Sequence, residues 1–308
     1  MLCRGTIVQG IWHKQSYRIH KELGRGAIGA VYLVENLRTS QFCAMKVSQS
    51  MQSIASEHKR LQTIQREVQS QHFGPLLFEM DDIDIRGQKH HFYTMEYIDG
   101  RVFDIQSIQG GIQVALLYIS QILRHLDSLH AKGYVFADVK AENILIDNRA
   151  KRIRFVDFGG VVKSGRMVKQ FSVMYDRGSW RMGSRKAEAQ YDLFAVGVLF
   201  LQLFIPKATL LEAQKSANSM YMLYDIIHRK LQPQYKSICF KVFSEKYQSA
   251  AAMDRDVQDL IKGKGQKAKS KGFLRRLFKQ WTLIDSALWA SFVCMVGVVV
   301  FVVQTMLK

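Results

Sequence analysis

Residues 134–159 hold a set of polar side chains whose spacing constrains the chain more than any other feature. Asp138 is followed by Lys140 after two residues and by Asn143 after five, and Asp157 lies fourteen residues further along in an Asp-Phe-Gly triplet. Such a set suits phosphoryl transfer, which depends on positioning and on neutralising charge. Asp138 is placed to accept the proton of an attacking hydroxyl, and Lys140 to neutralise the phosphoryl group in flight. Asn143 and Asp157 offer the oxygen ligands that Mg²⁺ prefers.

The residues between Asn143 and Asp157 predict a β-hairpin. Two apolar segments, NILIDN and KRIRFV, are joined by a turn at Asp147-Asn148, which is the pattern of two short strands around a tight turn. A hairpin here fixes the two metal ligands relative to each other. The alternative is a plain hairpin with acidic residues on its surface.

The stretch resembles the catalytic loop and the metal-binding triplet of the eukaryotic-like (Hanks-type) serine/threonine protein kinases of bacteria. The resemblance implies the bilobal protein kinase fold, of class α+β, with a β-rich N-terminal lobe and a helical C-terminal lobe. It also implies ATP and Mg²⁺ (or Mn²⁺) as cofactors, and hydroxyl groups of protein substrates as the acceptors.

Two departures from the family pattern lie inside the stretch. Where the family has His-Arg-Asp, this chain has Phe136-Ala137-Asp138, and Ala141 stands where the family has proline. Phe136 is expected to replace the histidine as a packing group. Ala137 cannot replace the arginine, which in the family pairs with a phosphate on the activation loop. We therefore expect activity that does not require such a phosphate.

Residues 17–47 predict a sheet, because the segments YRIHKELG, AVYLVEN and FCAMKV alternate between apolar and polar residues. The turn over residues 24–29 has the pattern GxGxxG and leads into a strand rather than a helix. This argues against a dinucleotide-binding fold and fits a glycine-rich flap over ATP phosphates. The resemblance implies that Lys46 holds the α- and β-phosphates. The alternative is an exposed strand lysine.

A helix is predicted over residues 53–68 from the spacing of its apolar residues. In the family, a glutamate on this helix pairs with the strand lysine. Glu57 is the preferred candidate and Glu67 is the alternative.

Two further strands, PLLFEM and HHFYTMEYIDG, follow this helix, and the second resembles the segment that links the kinase lobes. Met95 would then line the back of the adenine pocket, and the backbones of Glu96 and Ile98 would meet the adenine edge. The residues expected to contact the nucleotide are Leu23, Gly24, Arg25, Gly26, Ala27, Ile28, Gly29, Val31, Ala44, Lys46, Met95, Glu96 and Ile98.

A long helix over residues 111–132, ending at Gly133, leads into the catalytic loop. Asp192, in QYDLFAVGVLFLQL, matches the buried helix aspartate that holds this loop in the family. The family's Ala-Pro-Glu is absent, and GSWRMGSRKA stands in its place. Lys246 occupies the late region where the arginine partner of that glutamate is common, so we expect both partners to have changed together.

The segment after the Asp-Phe-Gly triplet is basic. It is either a solvated loop or a platform that prefers acidic protein substrates. Four of its serines, Ser164, Ser172, Ser179 and Ser184, are candidates for autophosphorylation, for which self-association of two chains is expected. Between residues 160 and 186 one acid, Asp176, accompanies the cations Lys163, Arg166, Lys169, Arg177, Arg181, Arg185 and Lys186.

The whole chain of 308 residues carries a formal net charge of +18, so its surface should attract anions. Its four cysteines lack metal-ligand spacing, which favours a reduced, intracellular location over a disulfide framework. The first residues show no secretory signal pattern. Residues 261–285 contain eight lysines and arginines and one acid, and this linker is expected to bind anionic lipid or DNA.

Residues 286–307 contain no charged residue and are mostly apolar. At about 1.5 Å per residue a helix of this length crosses a bilayer core. The basic flank before it predicts a single-pass C-terminal anchor in the cell membrane with the kinase domain in the cytoplasm. The chain thus resembles tail-anchored kinases of Gram-positive spore-forming bacteria, and we expect no extracellular sensor.

We therefore predict an N-lobe over residues 13–97, a C-lobe over 98–260, a basic juxtamembrane linker over 261–285 and a transmembrane helix over 286–307. An active, ATP-dependent serine/threonine kinase is the favoured function. The alternatives are a pseudokinase scaffold that binds ATP without turnover, and a protein that chiefly binds DNA or anionic lipid.

Overall fold

The computed structural model of the chain describes residues 2–26, 29–68, 73–104, 108, 110–169 and 171–263. Residues Met1–Gly263 belong to one compact unit. The predicted membrane-spanning segment 286–307 lies outside the described residues, as does the predicted basic linker apart from its first three residues. Within the described part of the chain, no helix combines the length and the apolar character needed to cross a membrane.

In the described N-terminal half, six antiparallel strands form one sheet: β1 (Ile7–Gln9), β2 (Ser16–Arg25), β3 (Ala30–Asn36), β4 (Gln41–Ser48), β5 (Leu77–Ile85) and β6 (Gln88–Glu96). They lie in the order β1-β2-β3-β4-β6-β5. The three strands predicted within residues 17–47 are confirmed as β2 to β4. The sheet begins before the predicted lobe boundary at residue 13, because β1 pairs with the start of β2.

The two faces of this sheet are covered by different parts of the chain. On one face, Val8 of β1 packs into a core that includes Phe92. On the other face, Ile54 of helix α1 (Met51–Glu67) packs against Ala44 of β4. The helix begins two residues earlier than predicted, because the side chain of Ser50 accepts a hydrogen bond from a backbone N–H of its first turn.

The C-terminal half of the described chain is mainly helical. Its described helices are α2 (Gly111–His130), α3 (Ala189–Gln202), α4 (Lys207–Lys215), α5 (Ser219–Lys230), α6 (Pro233–Phe243) and α7 (Ala250–Ile261). The central helix α3 is buried at every residue from Tyr191 to Leu201, which explains why its sequence is apolar on all sides apart from Asp192. The long helix predicted over residues 111–132 is confirmed as α2.

Short strands position residues 134–159, which hold Asp138, Asn143 and Asp157. The predicted hairpin is confirmed as β9 (Ile144–Asp147) and β10 (Ile153–Phe155), and β7 (Gly100–Val102) extends it to three strands. Strand β8 (Tyr134–Val135) pairs with β11 (Val162–Lys163). The hairpin turn is longer than the predicted dipeptide, because the Asp147 carboxylate accepts two backbone N–H groups of the loop at 2.8 Å each.

Four phenylalanines form a buried cluster where the sheet half and the helical half meet. The ring centroid of Phe136 lies 4.7 Å from that of Phe155 and 5.6 Å from that of Phe158. Phe73, which follows α1, lies 5.4 Å from Phe158. A Cβ atom on the neighbouring Gly74 would come within 2.5 Å of the Phe158 ring, so the cluster leaves no room for a side chain there. The packing role predicted for Phe136 is confirmed.

Candidate active site

Lys46 of β4 is held by two carboxylates. Its Nζ lies 2.7 Å from both carboxylate oxygens of Glu57 on α1 and 3.6 Å from Oδ1 of Asp157. Burial alone would lower the pKa of Lys46, but Glu57 and Asp157 outweigh it and raise the pKa, so the ammonium group stays charged at neutral pH. Tyr93 donates a hydrogen bond to Glu57 at 2.8 Å. The structure pairs Lys46 with Glu57 and not with Glu67, which lies at the far end of α1.

Asp138 is the centre of a second group. Lys140 Nζ donates to its Oδ2 at 2.6 Å, and Asn143 Nδ2 donates to the same oxygen at 2.8 Å and to the Asp138 carbonyl at 3.0 Å. Ser172 Oγ donates to Oδ1 at 3.1 Å and accepts from Lys140 Nζ at 3.3 Å. The structure therefore brings together the three residues predicted here and adds Ser172. The sequence marked this serine only as one of four candidates for phosphorylation.

Asn143 and Asp157 carry oxygen atoms suited to a metal ion. Asp157 has the left-handed backbone φ of 62°, and its carboxylate accepts the N–H of Gly159 at 3.1 Å. Its side chain is 47% exposed, so a ligand can reach it. The amide nitrogen of Asn143 is engaged by Asp138, which leaves its amide oxygen available as a ligand atom. A carboxylate and an amide oxygen fit Mg²⁺ or Mn²⁺, and Lys46, 3.6 Å from Asp157, fits the phosphates of a nucleotide.

Asp192 of α3 supports the backbone of the catalytic loop, as predicted. Its two carboxylate oxygens accept the N–H groups of Phe136 and Ala137, each at 2.8 Å. His130, the last residue of α2, lies 2.8 Å from the same carboxylate. Ala137 has a φ of 65°, which costs an alanine about 1–2 kcal/mol. The hydrogen bonds to Asp192 hold the loop in this conformation just before Asp138.

The glycine-rich turn closes with a hydrogen bond from the Gly26 N–H to the Gly29 carbonyl at 2.9 Å. A Cβ atom at Gly29 would come within 2.3 Å of the Val47 carbonyl oxygen, so β3 can approach β4 this closely only with glycine at that position. Ala27 and Ile28 lie outside the described residues. The strands that flank the turn carry four more predicted nucleotide contacts, Leu23, Gly24 and Arg25 on β2 and Val31 on β3, and Ala44 lies on the neighbouring β4.

The segment predicted to meet the adenine begins at the end of β6. Met95 is buried beside Ala44, its cross-strand partner, and Val31 packs against the same cluster. Glu96 is the last residue of β6, and its N–H donates to the Leu76 carbonyl at 2.7 Å. Ile98 is buried two residues later. The structure thus gathers Val31, Ala44 and Met95 into one apolar surface.

Arg177 is buried, with 2% of its side chain exposed, and it is paired with two carboxylates. Its NH1 lies 2.7 Å from Glu245, its NH2 donates to Glu188, and its Nε donates to the Ser184 carbonyl at 2.7 Å. The expectation that both partners of the family's ion pair have changed together agrees with the contact between Arg177 and Glu245. Here the cation lies in the segment after the Asp-Phe-Gly triplet and the carboxylate is the late residue, so the polarity is the reverse of the family's ion pair.

Three of the seven cations in this segment make contacts within the chain, and the platform for acidic substrates stays a prediction. Arg177 is buried as described. Arg185 lies 2.8 Å from the buried carboxylate of Asp176 and covers the ring of Phe171 at 4.0 Å. Arg181 donates to the carbonyl of Ala217. The exposed cations of the segment are Lys163, Arg166, Lys169, Arg181 and Lys186.

Comparison with known proteins agrees with this geometry. The protein kinase domain family matches residues 17–273. The serine/threonine-protein kinase YabT of Bacillus subtilis is 37% identical over 271 residues, which are 87% of this chain and 77% of that protein. The serine/threonine-protein kinase AtPK1/AtPK6 of Arabidopsis thaliana is 26% identical over 49% of this chain and 33% of its own length. Rho-associated protein kinase 1 of Homo sapiens is 26% identical over 48% of this chain and 11% of its own length.

The family match covers well over half of the chain, and the Bacillus relative is similar across most of both sequences. The β-rich and helical halves have the arrangement that this family implies. Protein kinases use ATP and Mg²⁺ and act on protein substrates. The chain therefore belongs to the protein kinase family and is a serine/threonine protein kinase.

Proposed function

We propose that this kinase transfers the γ-phosphate of ATP to serine or threonine hydroxyls with Asp138 as the catalytic base. The observation that carries the proposal is the hydrogen-bonding of Asp138, whose carboxylate is held by Lys140, Asn143 and Ser172. A carboxylate fixed in this way is oriented toward an incoming hydroxyl, from which it accepts the proton. Lys140 lies beside it, where it stabilises negative charge on the transferred group.

The second group of residues holds the nucleotide. Lys46, kept charged and oriented by Glu57, binds the α- and β-phosphates. Asn143 and Asp157 bind Mg²⁺, which neutralises the charge of the phosphates when it is present. The backbones of Glu96 and Ile98 bind the adenine edge, and Met95 with Ala44 forms the apolar wall behind it. The glycine-rich turn covers the phosphates.

The test uses the full-length chain with Mg-ATP and a generic protein acceptor. Asp138→Asn and Asp157→Asn should each lower turnover at least about a thousandfold, equivalent to about 4 kcal/mol in the barrier. Asp259→Asn, the same change on an exposed part of α7, is the matched control. Retained turnover in Asp138→Asn would exclude the base assignment. ATP binding without phosphate incorporation by the unaltered chain would instead support the scaffold without turnover.

We also propose that the chain is anchored in the cell membrane by residues 286–307, with the kinase domain in the cytoplasm. The support is the uncharged apolar sequence and the basic flank that precedes it. Deletion of residues 286–307 should move the protein from the membrane fraction to the soluble fraction. A full-length chain that is extracted from membranes by carbonate alone would contradict an integral anchor.

The basic linker over residues 261–285 is proposed to bind a polyanion, either anionic lipid or DNA. Binding would concentrate kinase domains and favour phosphorylation of one chain by another. Separate titrations with DNA and with phosphatidylserine vesicles show which of the two binds, and a series of salt concentrations shows whether the binding is electrostatic. Absence of binding to either at about 0.1 M salt would exclude the idea.

A further inference from the structure

Arg154 of β10 is a buried cation next to the nucleotide site. Only 3% of its side chain is exposed. Its NH1 donates to Oε1 of Glu96 at 3.1 Å and its NH2 donates to Oε2 at 2.6 Å. This two-point geometry between a guanidinium group and a carboxylate fixes the orientation of both side chains. No role was predicted for Arg154, because it lies within an apolar strand segment.

The pair crosses the boundary between the two halves of the molecule. Arg154 belongs to the helical half, whereas Glu96 ends the last strand of the six-stranded sheet. The same NH2 group donates to the carbonyl of Gly74, in the linker between α1 and β5, at 2.8 Å. The Leu76 N–H donates to Oε2 of Glu96 at 3.1 Å. Glu96 is therefore held both by the linker and by the helical half.

A buried guanidinium group is costly unless its hydrogen bonds are satisfied, so Arg154 restricts where Glu96 can lie. Glu96 is also the residue whose backbone is assigned to the adenine edge. Glu96 directly precedes the segment that links the halves, so the contacts that hold its side chain also restrain this backbone. The Lys46–Glu57 ion pair is formed in the same structure, so the Arg154–Glu96 pair is compatible with an assembled nucleotide site.

We propose that Arg154 is a positioning residue for ATP binding, which acts through Glu96 to set the backbone that recognises adenine. The inference rests on the proposed function, because it needs the adenine to lie at this segment. It goes beyond that function because it gives Arg154, a residue of the helical half that does not contact the nucleotide, a role in the affinity for ATP. It predicts a change in the KM for ATP rather than in the chemical step.

The test measures kcat, the KM for ATP and the Kd of ATP for full-length variants. Arg154→Met removes the positive charge while roughly keeping the length of the side chain, and Glu96→Gln removes the negative charge of Glu96. Both should raise the KM and the Kd at least about fivefold, with kcat changed less than about twofold. Arg149→Met, in the exposed turn of the same hairpin, is the matched control and should change neither constant.

The double variant shows whether the two residues act together. If Arg154 acts through Glu96, Arg154→Met with Glu96→Gln should be no worse than the poorer single variant. Arg154→Lys should recover part of the affinity.

If Arg154→Met does not fold, Glu96→Gln and Arg154→Lys still give the comparison. An unchanged KM in all variants overturns the proposal, as does a higher kcat, which would make the pair a restraint on motion between the halves. An unaltered chain without turnover would instead exclude the proposed function, whereas the ATP affinities would still test Arg154.

Discussion

Ser172 differs from the other serines of its segment because its hydroxyl contacts two residues of the catalytic loop. It lies in the segment that other kinases phosphorylate, yet its hydroxyl is hydrogen-bonded to both Asp138 and Lys140. A phosphate there would place negative charge beside the Asp138 carboxylate. Ala137 also leaves the catalytic loop without the arginine that would receive a phosphate. The four serines of the segment are therefore not equivalent.

We expect Ser172→Ala to lower kcat about tenfold, because a hydrogen bond to a charged group contributes about 1.5–3 kcal/mol. Ser164 and Ser184 are exposed, and their combined replacement by alanine should leave kcat and the KM for ATP within about twofold of the original values. Steady-state kinetics with Mg-ATP measure both. Loss of activity in the variant lacking Ser164 and Ser184, with ATP affinity intact, would show that a loop phosphate is required after all.

Elements far apart in sequence are joined by a few buried ion pairs. Arg177→Met should lower the free energy of unfolding by about 2–3 kcal/mol, because it removes two ion pairs. The cost is limited because the two carboxylates left behind are partly exposed to water. Arg229→Met, which breaks an exposed pair within α5, should cost less than about 0.5 kcal/mol. Urea unfolding followed by circular dichroism compares the two variants. Equal effects would mean that the Arg177 pairs contribute no more than a surface pair.

The hairpin of β5 and β6 holds the N-terminal segment through Asp82. This carboxylate accepts hydrogen bonds from Trp12 at 3.0 Å and Lys89 at 2.8 Å and lies 2.5 Å from His91 Nδ1. Burial alone would raise the pKa of Asp82, but these hydrogen bonds outweigh it and lower the pKa to about 2. A carboxyl group of this kind stabilises the fold above its unfolded pKa of about 3.9 and loses that effect as the pH falls toward 2.

Asp82→Asn should therefore lower the Tm at pH 7, and the difference from the original chain should shrink as the pH falls below about 4. Thermal melts at several pH values between 7 and 2 measure this difference. Asp259→Asn, on an exposed part of α7, should show no such trend. A difference in Tm that stays constant with pH would contradict the role of the Asp82 charge.

Elements with a regular apolar pattern could be predicted from the sequence, whereas contacts between distant residues could not. The strands β2 to β4 and the helix α2 carry enough residues for periodicity to identify them. Strand β1 has three residues, too few to show a pattern. The placement of Arg177 depends on Glu188 and Glu245, and nothing in the local sequence reveals that those carboxylates converge on it. The motif spacing identified Asp138, Lys140 and Asn143, but the contact with Ser172 arises only when the following segment folds back.

At the scale of the molecule, the two halves of the described chain pack tightly against each other at Gly74 and Phe158. Gly74→Ala should push the new methyl group into the ring of Phe158, at a cost of about 1–3 kcal/mol. We expect kcat to fall as well, because Phe158 adjoins Asp157. Adding Phe158→Leu should restore part of the lost stability by making room, as measured by Tm. If Gly74→Ala alone were neutral in Tm and kcat, the contact would not be as tight as described.

The ion pair between Arg177 and Glu245, whose polarity is the reverse of the family's, limits which single mutations this sequence can accept during evolution. Replacing Arg177 by an acidic residue would place three carboxylates together, and replacing Glu245 by a basic residue would set two cations against each other. Either intermediate is penalised before its partner can change. A return to the polarity usual in the family must therefore pass through an uncharged residue at one of the two positions. Among the descendants of this sequence, Arg177 and Glu245 should be retained or lost together.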